Sequence, residues 1–208
     1  PTKKVKKTGS ARADEMLFWT KEEYEHFLDA ISDKDISFYA FEILYWTGIR
    51  EGELLALTPE DFDLDAATLT ISKSFARRNG KDVIGPPKTK MSYRTIVLSD
   101  FLVEEIRTWF EYADFAEGER IFPRTKSFLH HEMDRGCLKS GVKRIRIHDL
   151  RHSHVSMLIH MGFSAVAIAA RMGHESQEIT FRYAHLFPDV QDDMANSLQG
   201  ISDERKKR

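Results

Sequence analysis

The spacing of apolar residues along this chain changes twice, from a helical period to strict alternation and back. Two central segments, ATLTISKSF and YRTIVLS, alternate apolar and polar residues as half-buried strands do. The basic segment between them, ARRNGKDVIGPPKTK, predicts a further strand bounded by turns. Because helical spacing lies on both sides, the pattern predicts a mainly α-helical α+β protein with a small three-stranded antiparallel sheet inserted among the helices.

Helical spacing begins in WTKEEYEHFLDAI, where Thr20 and Glu23 are spaced as in a capping box. Gly48 is placed to end a second helix, and the same period predicts the helices that follow. The predicted helical segments are 21–31, 35–47, 51–57, 101–113, 128–140, 148–161, 165–172, 177–183 and 188–198.

The size and composition of the chain set its class. Its 208 residues, of which 41% are hydrophobic and 31% charged, can bury one core and leave room for an appended segment. Cys137 is the only cysteine, which excludes a disulfide framework or a thiolate metal cage and is typical of the cytoplasm. No segment is apolar enough to span a bilayer and no secretory leader is visible, so we expect a cytoplasmic protein without membrane contact. Because the first residue is Pro1 rather than methionine, we expect a fragment of a longer protein.

Charge is distributed unevenly, although the formal net charge is only -2. Between 73 and 94 there are seven basic residues and a single acid, Asp82, whereas 51–65 carries six acids and no base. A second basic segment runs from Lys139 to Arg151. Local basic patches of this kind attract a phosphate backbone, but two solvated surfaces account for the same pattern.

The segment RIHDLRHSH gathers His148, His152 and His154 with two arginines at a predicted helix start. Its HDLRH differs from the zinc-peptidase pattern HExxH by an aspartate in place of the catalytic glutamate, and Arg151 adds a fixed cation beside the metal position. Both differences favour an anion such as phosphate over zinc, since a helix N-terminus attracts negative charge. From this segment alone, packing or surface histidines, a phosphate site and a metal site all stay open.

Four other motifs contain single reactive residues. TGIREGELLAL places Arg50 after a predicted helix end, with Glu53 three residues later, where the carboxylate can orient the guanidinium. PPKTKMSYRTI places Lys88 in a turn before a strand, MGHES places His174 between helices, and YAHL places Tyr183 near a helix end. Taken singly, these are equally the features of a surface ion pair, a solvated lysine, a loop histidine and a half-buried aromatic residue.

Taken together and in this order, the motifs resemble those of the tyrosine recombinase (phage integrase) family, and they look closest to integrases of conjugative transposons and temperate phages. The resemblance extends from about Phe18 to Leu198 and covers the family's catalytic domain. It implies the fold of DNA breaking-rejoining enzymes. It also implies three parts: a basic interdomain linker (1–15), a tyrosine recombinase catalytic domain (16–187), and a C-terminal helix with a charged tail (188–208) that docks on a neighbouring subunit or on its own domain.

The resemblance implies site-specific DNA recombination, the integration or excision of a mobile element, through a covalent 3′-phosphotyrosyl intermediate and without ATP, metal or other cofactor. Arginine forks suit this chemistry because they hold phosphate oxygens by paired hydrogen bonds and stay charged. By resemblance, Tyr183 is the nucleophile, Lys88 the general acid and His148 the proton acceptor. The implied catalytic positions are Arg50, Lys88, His148, Arg151, His174 and Tyr183, supported by Glu53.

Basic residues of the central segment are predicted to contact the DNA backbone, which fixes position on a duplex without reading its sequence. These residues are Arg77, Arg78, Lys81 and Lys90, and Lys90 is close enough in sequence to compete with Lys88 as general acid. The remaining histidines of the helix, His152, His154 and His160, are predicted to be packing or surface residues.

The resemblance also implies partners. These are double-stranded DNA recombination sites and other copies of the full-length protein in a tetramer on DNA, with room for an accessory DNA-bending protein. Two alternatives stay open on the sequence alone: a DNA-binding module that kept the fold without catalysis, and a metallohydrolase built on HDLRH.

Overall fold

The computed structural model describes residues 17–87, 89–173 and 183, with Lys90 described through its backbone only. Its helices are α1 (Lys21–Ile31), α2 (Asp35–Thr47), α3 (Glu51–Leu54), α4 (Asp100–Ala113), α5 (Lys126–Ser140), α6 (Asp149–His160) and α7 (Ala165–Met172). Its strands are β1 (Phe62–Asp63), β2 (Thr68–Ile71), β3 (Ser74–Arg78), β4 (Lys81–Gly85) and β5 (Arg94–Val97). None of the described helices has the length and hydropathy that a membrane span requires.

The predicted class, mainly helical α+β, is confirmed, and the described helices lie close to their predicted bounds. The predicted helix over 188–198 lies outside the described residues, and of the one over 177–183 only Tyr183 is described. Local sequence explains the agreement at the N-terminus. The Glu23 N–H donates to Thr20 Oγ1 at 3.2 Å, and the Glu23 carboxylate accepts the Thr20 N–H at 2.9 Å, which completes the predicted capping box.

Gly48 ends α2 in the left-handed conformation, with φ of 66°, and its N–H donates to the Leu44 carbonyl at 3.0 Å. A Cβ atom on this residue would lie 2.6 Å from Met172 Cε and 2.8 Å from His154 Cδ2. Only glycine accepts both the positive φ and this approach. The end of α2 therefore packs directly against α6 and α7.

The strands are arranged differently from the prediction. The segment ATLTISKSF does not form one strand, because the chain leaves the sheet after Ile71: β2 pairs with β5, and β3 turns away to pair with β4. The third strand of the antiparallel sheet is β1, which lies in the acidic segment and pairs with β2 through Phe62 and Leu69. The basic connection forms a separate two-stranded hairpin.

An Asn-Gly turn produces that hairpin. Asn79 and Gly80 both have positive φ, 50° and 77°, as a tight two-residue hairpin turn requires. The hairpin is anchored to the body of the protein by Arg120, whose guanidinium lies 4.7 Å from the Phe75 ring centroid and donates to the Leu55 carbonyl at 3.1 Å. This Asn-Gly pair is the sequence signal for the hairpin, whereas the prediction for this segment is one further strand bounded by turns.

Buried apolar residues form two clusters. The larger one is built by α1, α2, α4, α5 and the sheet, and α1 lies so close to α5 that a Cβ on Gly136 would come within 2.3 Å of the Phe27 ring. The smaller cluster joins α6 and α7 to position 183 and consists of Val155, Ile159, Ile168, Met172 and Tyr183. The second cluster therefore brings Tyr183 against the helix that begins at the HDLRH segment.

Candidate active site

Three arginines from distant parts of the chain bind three consecutive carbonyl groups at the end of α7. Arg94 Nε donates to the Arg171 carbonyl at 3.0 Å, Arg151 Nη2 donates to the Met172 carbonyl, and Arg50 Nη2 donates to the Gly173 carbonyl at 3.4 Å. The last carbonyls of a helix lack partners within the helix and carry its negative dipole end, so cations are stabilised there. The C-terminus of α7 therefore gathers the guanidinium groups in one place.

Glu53 is the counterion of two of these arginines. Its Oε1 accepts from Arg50 Nη1 at 2.8 Å, and its Oε2 accepts from Arg94 Nη2 at 2.8 Å. Burial by itself raises the pKa of this carboxyl group, which is 2% exposed, but the hydrogen bonds and charges of Arg94 and Arg50 lower the pKa below its ordinary value. Glu53 is therefore a carboxylate that fixes the orientation of both guanidinium groups.

Arg151 is the most buried cation of the group, with 4% exposure. Its Nη1 donates to the Gly48 carbonyl at 2.7 Å, so the ends of α2 and α7 hold the two arms of its fork. Burial, with repulsion from Arg50 and Arg94, lowers its pKa to about 9, which still leaves it charged at neutral pH. Three arginines and one glutamate leave a formal excess of two positive charges, which favours binding of an anion.

His148 immediately precedes α6 and lines the same cleft as Arg50. Burial, with the neighbouring Arg151 charge, lowers the pKa of His148 below its ordinary value of 6.5. The ring is therefore neutral at pH 7, with one nitrogen that accepts and one that donates a hydrogen bond.

The cleft has a volume of about 1050 Å³. Its lining includes Arg50, His148 and residues of strand β3, among them Arg77 and Arg78. α3 approaches this strand so closely that a Cβ on Gly52 would lie 2.9 Å from the Phe75 carbonyl oxygen. Basic groups from the arginine cluster and from the hairpin thus face one space.

Tyr183 lies against α6 and is 3% exposed. Its hydroxyl group is hydrogen-bonded to His152 Nδ1, and its ring centroid is 5.5 Å from that of His152. The phenol also interacts electrostatically with Arg151 and acts to raise the pKa of that arginine. Tyr183 and Arg151 are thus within electrostatic range of each other, and Arg50 and Arg151 bind neighbouring carbonyls at the end of α7.

This contact corrects one expectation. His152 was predicted to be a packing or surface residue, and this was wrong, because it touches the hydroxyl group of the candidate nucleophile. His148 and His152 are four residues apart, so they lie one helical turn apart on one face, with ring centroids 5.1 Å from each other. That i, i+4 spacing is the signal in the sequence. The expectation holds for His154, which is buried, and for His160, which is exposed.

Comparison with known proteins identifies the family. The sequence profile of the phage integrase family matches residues 18–189. The chain belongs to this family. It is 32% identical over 209 residues to the ICEBs1 integrase of Bacillus subtilis (strain 168), with 89% of this chain and 55% of that protein covered. It is 29% identical to the integrase of Mycobacterium phage L5, with 75% and 46% covered. The chain thus spans about half the length of these relatives.

Solved structures of tyrosine recombinases share the fold. The Tn1549 transposon integrase in complex with circular intermediate DNA has a TM-score of 0.73 and 21% identity, over 90% of this chain and 67% of that one. The catalytic domain of bacteriophage HP1 integrase has a TM-score of 0.63 and 19% identity, over 90% of this chain and 98% of that one. These likenesses establish that this chain has the fold of a phage integrase catalytic domain.

Not every residue of the integrase pattern can be located. Lys88, His174 and the side chain of Lys90 lie outside the described residues, although Gly173, the neighbour of His174, is part of the arginine cluster. Arg77, Arg78 and Lys81 are exposed on the hairpin, and Arg77 lies 3.8 Å from Asp82. Their contact with DNA stays a prediction.

Arg94 is a member of the site that the sequence reasoning missed. It was counted only as part of a basic segment, but it is 7% exposed and shares Glu53 with Arg50. The signal is weak: an arginine opens a half-buried strand, and a buried arginine requires a carboxylate partner.

Asp149 occupies the position of the glutamate in a zinc-peptidase motif. It is fully buried and accepts hydrogen bonds from the Arg146 backbone N–H at 2.8 Å and from Arg146 Nη2 at 2.9 Å. Within the described part of the chain, no group of three or more histidine, cysteine, aspartate or glutamate side chains is arranged to hold a metal ion. Asp149 therefore forms an ion pair with Arg146 that fixes the start of α6.

Proposed function

We propose that this chain is the catalytic domain of an enzyme that integrates or excises a mobile element by site-specific DNA recombination. In this reaction a tyrosine cleaves one DNA strand, stays attached to the 3′ phosphate, and passes the strand to a new 5′ hydroxyl group without ATP or a metal. One observation carries the proposal: the arginine cluster has an excess of positive charge, and its Arg151 interacts electrostatically with Tyr183, whose hydroxyl group is held by His152 of the same helix.

The charge of the cluster suits the transition state of phosphodiester cleavage. The phosphorus becomes five-coordinate, and negative charge builds up on its non-bridging oxygens. Arg50 and Arg151 offer donors that are already oriented, by Glu53 and by the carbonyls at the ends of α2 and α7. Fixed donors of this kind lower the barrier because they need no reorganisation when the charge appears.

The proposed roles are as follows. Tyr183 Oη attacks the phosphorus and loses its proton, for which the family resemblance gives His148 as acceptor. Arg50, Arg151 and His174 hold the phosphate together with His148, and Lys88 or Lys90 protonates the departing 5′ oxygen. The phosphotyrosine ester conserves the energy of the broken bond, so a 5′ hydroxyl group can reverse the step. The likeness of the fold to the Tn1549 transposon integrase, whose structure is a complex with circular intermediate DNA, supports double-stranded DNA as the substrate.

The surrounding surface supports the same substrate. Arg77 and Arg78 line the cleft and Lys81 is exposed on the same hairpin, which supports the proposal that these three residues contact backbone phosphates. We propose 16–187 as the catalytic domain, with the linker (1–15) and the tail (188–208) as its connections to a further DNA-binding domain and to a second subunit. We also propose that four copies act on two duplexes, with an accessory DNA-bending protein where the DNA site requires one. The DNA substrate and the single cysteine support a cytoplasmic location.

A nicked duplex that spans the DNA flanking the gene of origin tests the chemistry. After cleavage the short strand diffuses away, so the complete protein should accumulate as a covalent adduct that resists detergent. Tyr183→Phe should abolish the adduct. Tyr112→Phe is the matched control, because Tyr112 is 56% exposed on α4 and should leave the yield unchanged.

Two other outcomes would identify the alternatives. Binding of the duplex without any adduct would indicate a non-catalytic DNA-binding module. Cleavage that stops in EDTA would indicate a metallohydrolase, whereas the proposal requires the same adduct yield with and without the chelator. An adduct that persists in Tyr183→Phe would contradict the assignment of the nucleophile.

A further inference from the structure

The hydroxyl group of Tyr183 contacts His152, a histidine to which the family pattern assigns no role. His152 Nδ1 is the hydrogen-bond partner of Tyr183 Oη, and the pair is enclosed, with Tyr183 3% and the His152 side chain 16% exposed. A buried phenol that must lose its proton needs an acceptor within hydrogen-bond distance. His152 meets this geometric requirement directly.

Asp149 defines the tautomer of the ring. Its Oδ1 lies 3.7 Å from His152 Nε2, on the opposite side of the ring from Tyr183. The negative carboxylate favours the proton on Nε2, which leaves the lone pair of Nδ1 free to accept from the Tyr183 hydroxyl group. Because Arg146 fixes Asp149 at zero exposure, the order from carboxylate to imidazole to hydroxyl is built into the start of α6.

We propose that His152 accepts the proton of Tyr183 when Oη attacks the phosphorus, and that Asp149 holds the histidine in the tautomer this requires. The inference rests on the proposed function and adds a residue to it. In the forward step the Oη–H bond breaks and its proton passes to Nδ1, the Oη–P bond forms, the P–O5′ bond breaks, and the 5′ oxygen takes a proton from Lys88 or Lys90. His148 then acts as a phosphate ligand.

The electrostatic surroundings agree with this order of events. Burial, with the nearby His148 and opposed by Asp149, lowers the pKa of His152 to about 4, and Arg146 and Arg151 contribute to the same shift. Without DNA the ring is therefore neutral and ready to accept. A bound phosphate offsets the cationic neighbours, so the imidazolium that forms is stabilised by that phosphate and by Asp149. On the neighbouring helix α7, Arg171 contacts His154, not His152.

The test is the single-turnover rate of adduct formation on the nicked duplex, measured between about pH 6 and pH 9.5. His152→Phe preserves a ring of similar size and removes the acceptor. At pH 7 its rate should fall by roughly 10²- to 10⁴-fold, the usual contribution of a general base. The defect should shrink by about tenfold per pH unit as the pH rises, since a phenol with a pKa near 10 then loses its proton unaided.

Three further variants make the result specific. His152→Asn keeps a hydrogen-bond acceptor near the position of Nδ1 but cannot take a proton, so it should fold normally and show the same rescue at high pH. His148→Phe should lower the rate by the same factor at every pH, because a lost phosphate ligand is not replaced by hydroxide. His160→Phe, on the exposed end of the same helix, should match the wild type.

Several results would overturn the inference. These are a wild-type rate in His152→Asn at pH 7, a defect in both His152 variants that does not change with pH, or rescue at high pH by His148→Phe instead. Failure of the proposed function is distinguishable, because the unchanged protein would then form no adduct at any pH.

Discussion

Replacing Glu53 by glutamine keeps the shape of the side chain and removes the negative charge that Arg50 and Arg94 share. Glutamine offers one carbonyl oxygen to two guanidinium groups and turns its NH₂ group, a donor, toward a second donor. The Arg94 side chain is 7% exposed, so it would stay buried without its counterion. The variant therefore isolates the contribution of one carboxylate to a buried cationic cluster.

The size of the effect follows from the exposure of the two partners. Leaving one member of a buried ion pair without its partner costs about 3–5 kcal/mol, and the Arg94 pair belongs to this class. The Arg50 side chain is 37% exposed, so screening by solvent limits that pair to about 1 kcal/mol or less. We expect a loss of roughly 3–6 kcal/mol, which for a chain of this size lowers the melting temperature by about 6–24 °C.

Urea unfolding of the variant and the unchanged protein, at pH 7 and in steps toward pH 3, measures this loss. The neighbouring arginines lower the pKa of Glu53 below its ordinary value of 4.5, against the effect of burial. A carboxyl group whose pKa is depressed by folding stabilises the fold at a pH above its pKa in the unfolded chain. This stabilisation is lost as the pH falls through its pKa in the folded protein. The difference in stability between the two proteins should therefore be largest above about pH 4.5 and should decrease as the pH falls through the folded pKa of Glu53.

The exposed Glu117 provides the control, since Glu117→Gln should change stability by less than about 0.5 kcal/mol. Equal stability of Glu53→Gln and the unchanged protein at pH 7 would refute the reasoning, because Glu53 would then not be the counterion of the cluster. A deficit that stays the same at every pH down to acid unfolding would refute its electrostatic cause.

Two other predictions concern stability. Gly48→Ala forces a side chain into a left-handed backbone with φ of 66° and against Met172 Cε at 2.6 Å; urea unfolding should show a loss of roughly 1–3 kcal/mol. Burial raises the pKa of Glu42, which accepts the Tyr24 hydroxyl group, from 4.5 to about 8. A group whose pKa is raised by folding contributes its full stabilisation at a pH below its pKa in the unfolded chain. This stabilisation is lost as the pH rises through its pKa in the folded protein. The protein should therefore lose stability between about pH 4.5 and 8, and Glu42→Gln should flatten this part of its unfolding profile.

Local sequence was sufficient for the helices. The capping box at Thr20 and Glu23, and Gly48 as a C-terminal stop, set helix ends through contacts between residues a few positions apart. Such contacts are contained in a short window of sequence. The order of the integrase motifs was also visible, because it needs only residue types and spacing.

The strands were harder to predict because their partners are distant in sequence. Alternation predicted the strand at Thr68–Ile71. It did not predict that the chain leaves the sheet after this strand, or that Phe62–Asp63 supplies the third strand. Which edge a strand joins depends on how the sheet packs on the helices, and that information is spread over the whole chain.

The sequence by itself determined the helices, the family and a list of candidate cations. Tertiary structure alone decided how those residues meet: the end of α7 presents three successive carbonyls, and arginines from three separate segments bind them. It also brought Tyr183 to His152, across 31 positions of sequence. The physical reason is that buried charges and hydroxyl groups must find partners wherever packing brings backbone and side chains together, and sequence spacing does not encode that meeting point.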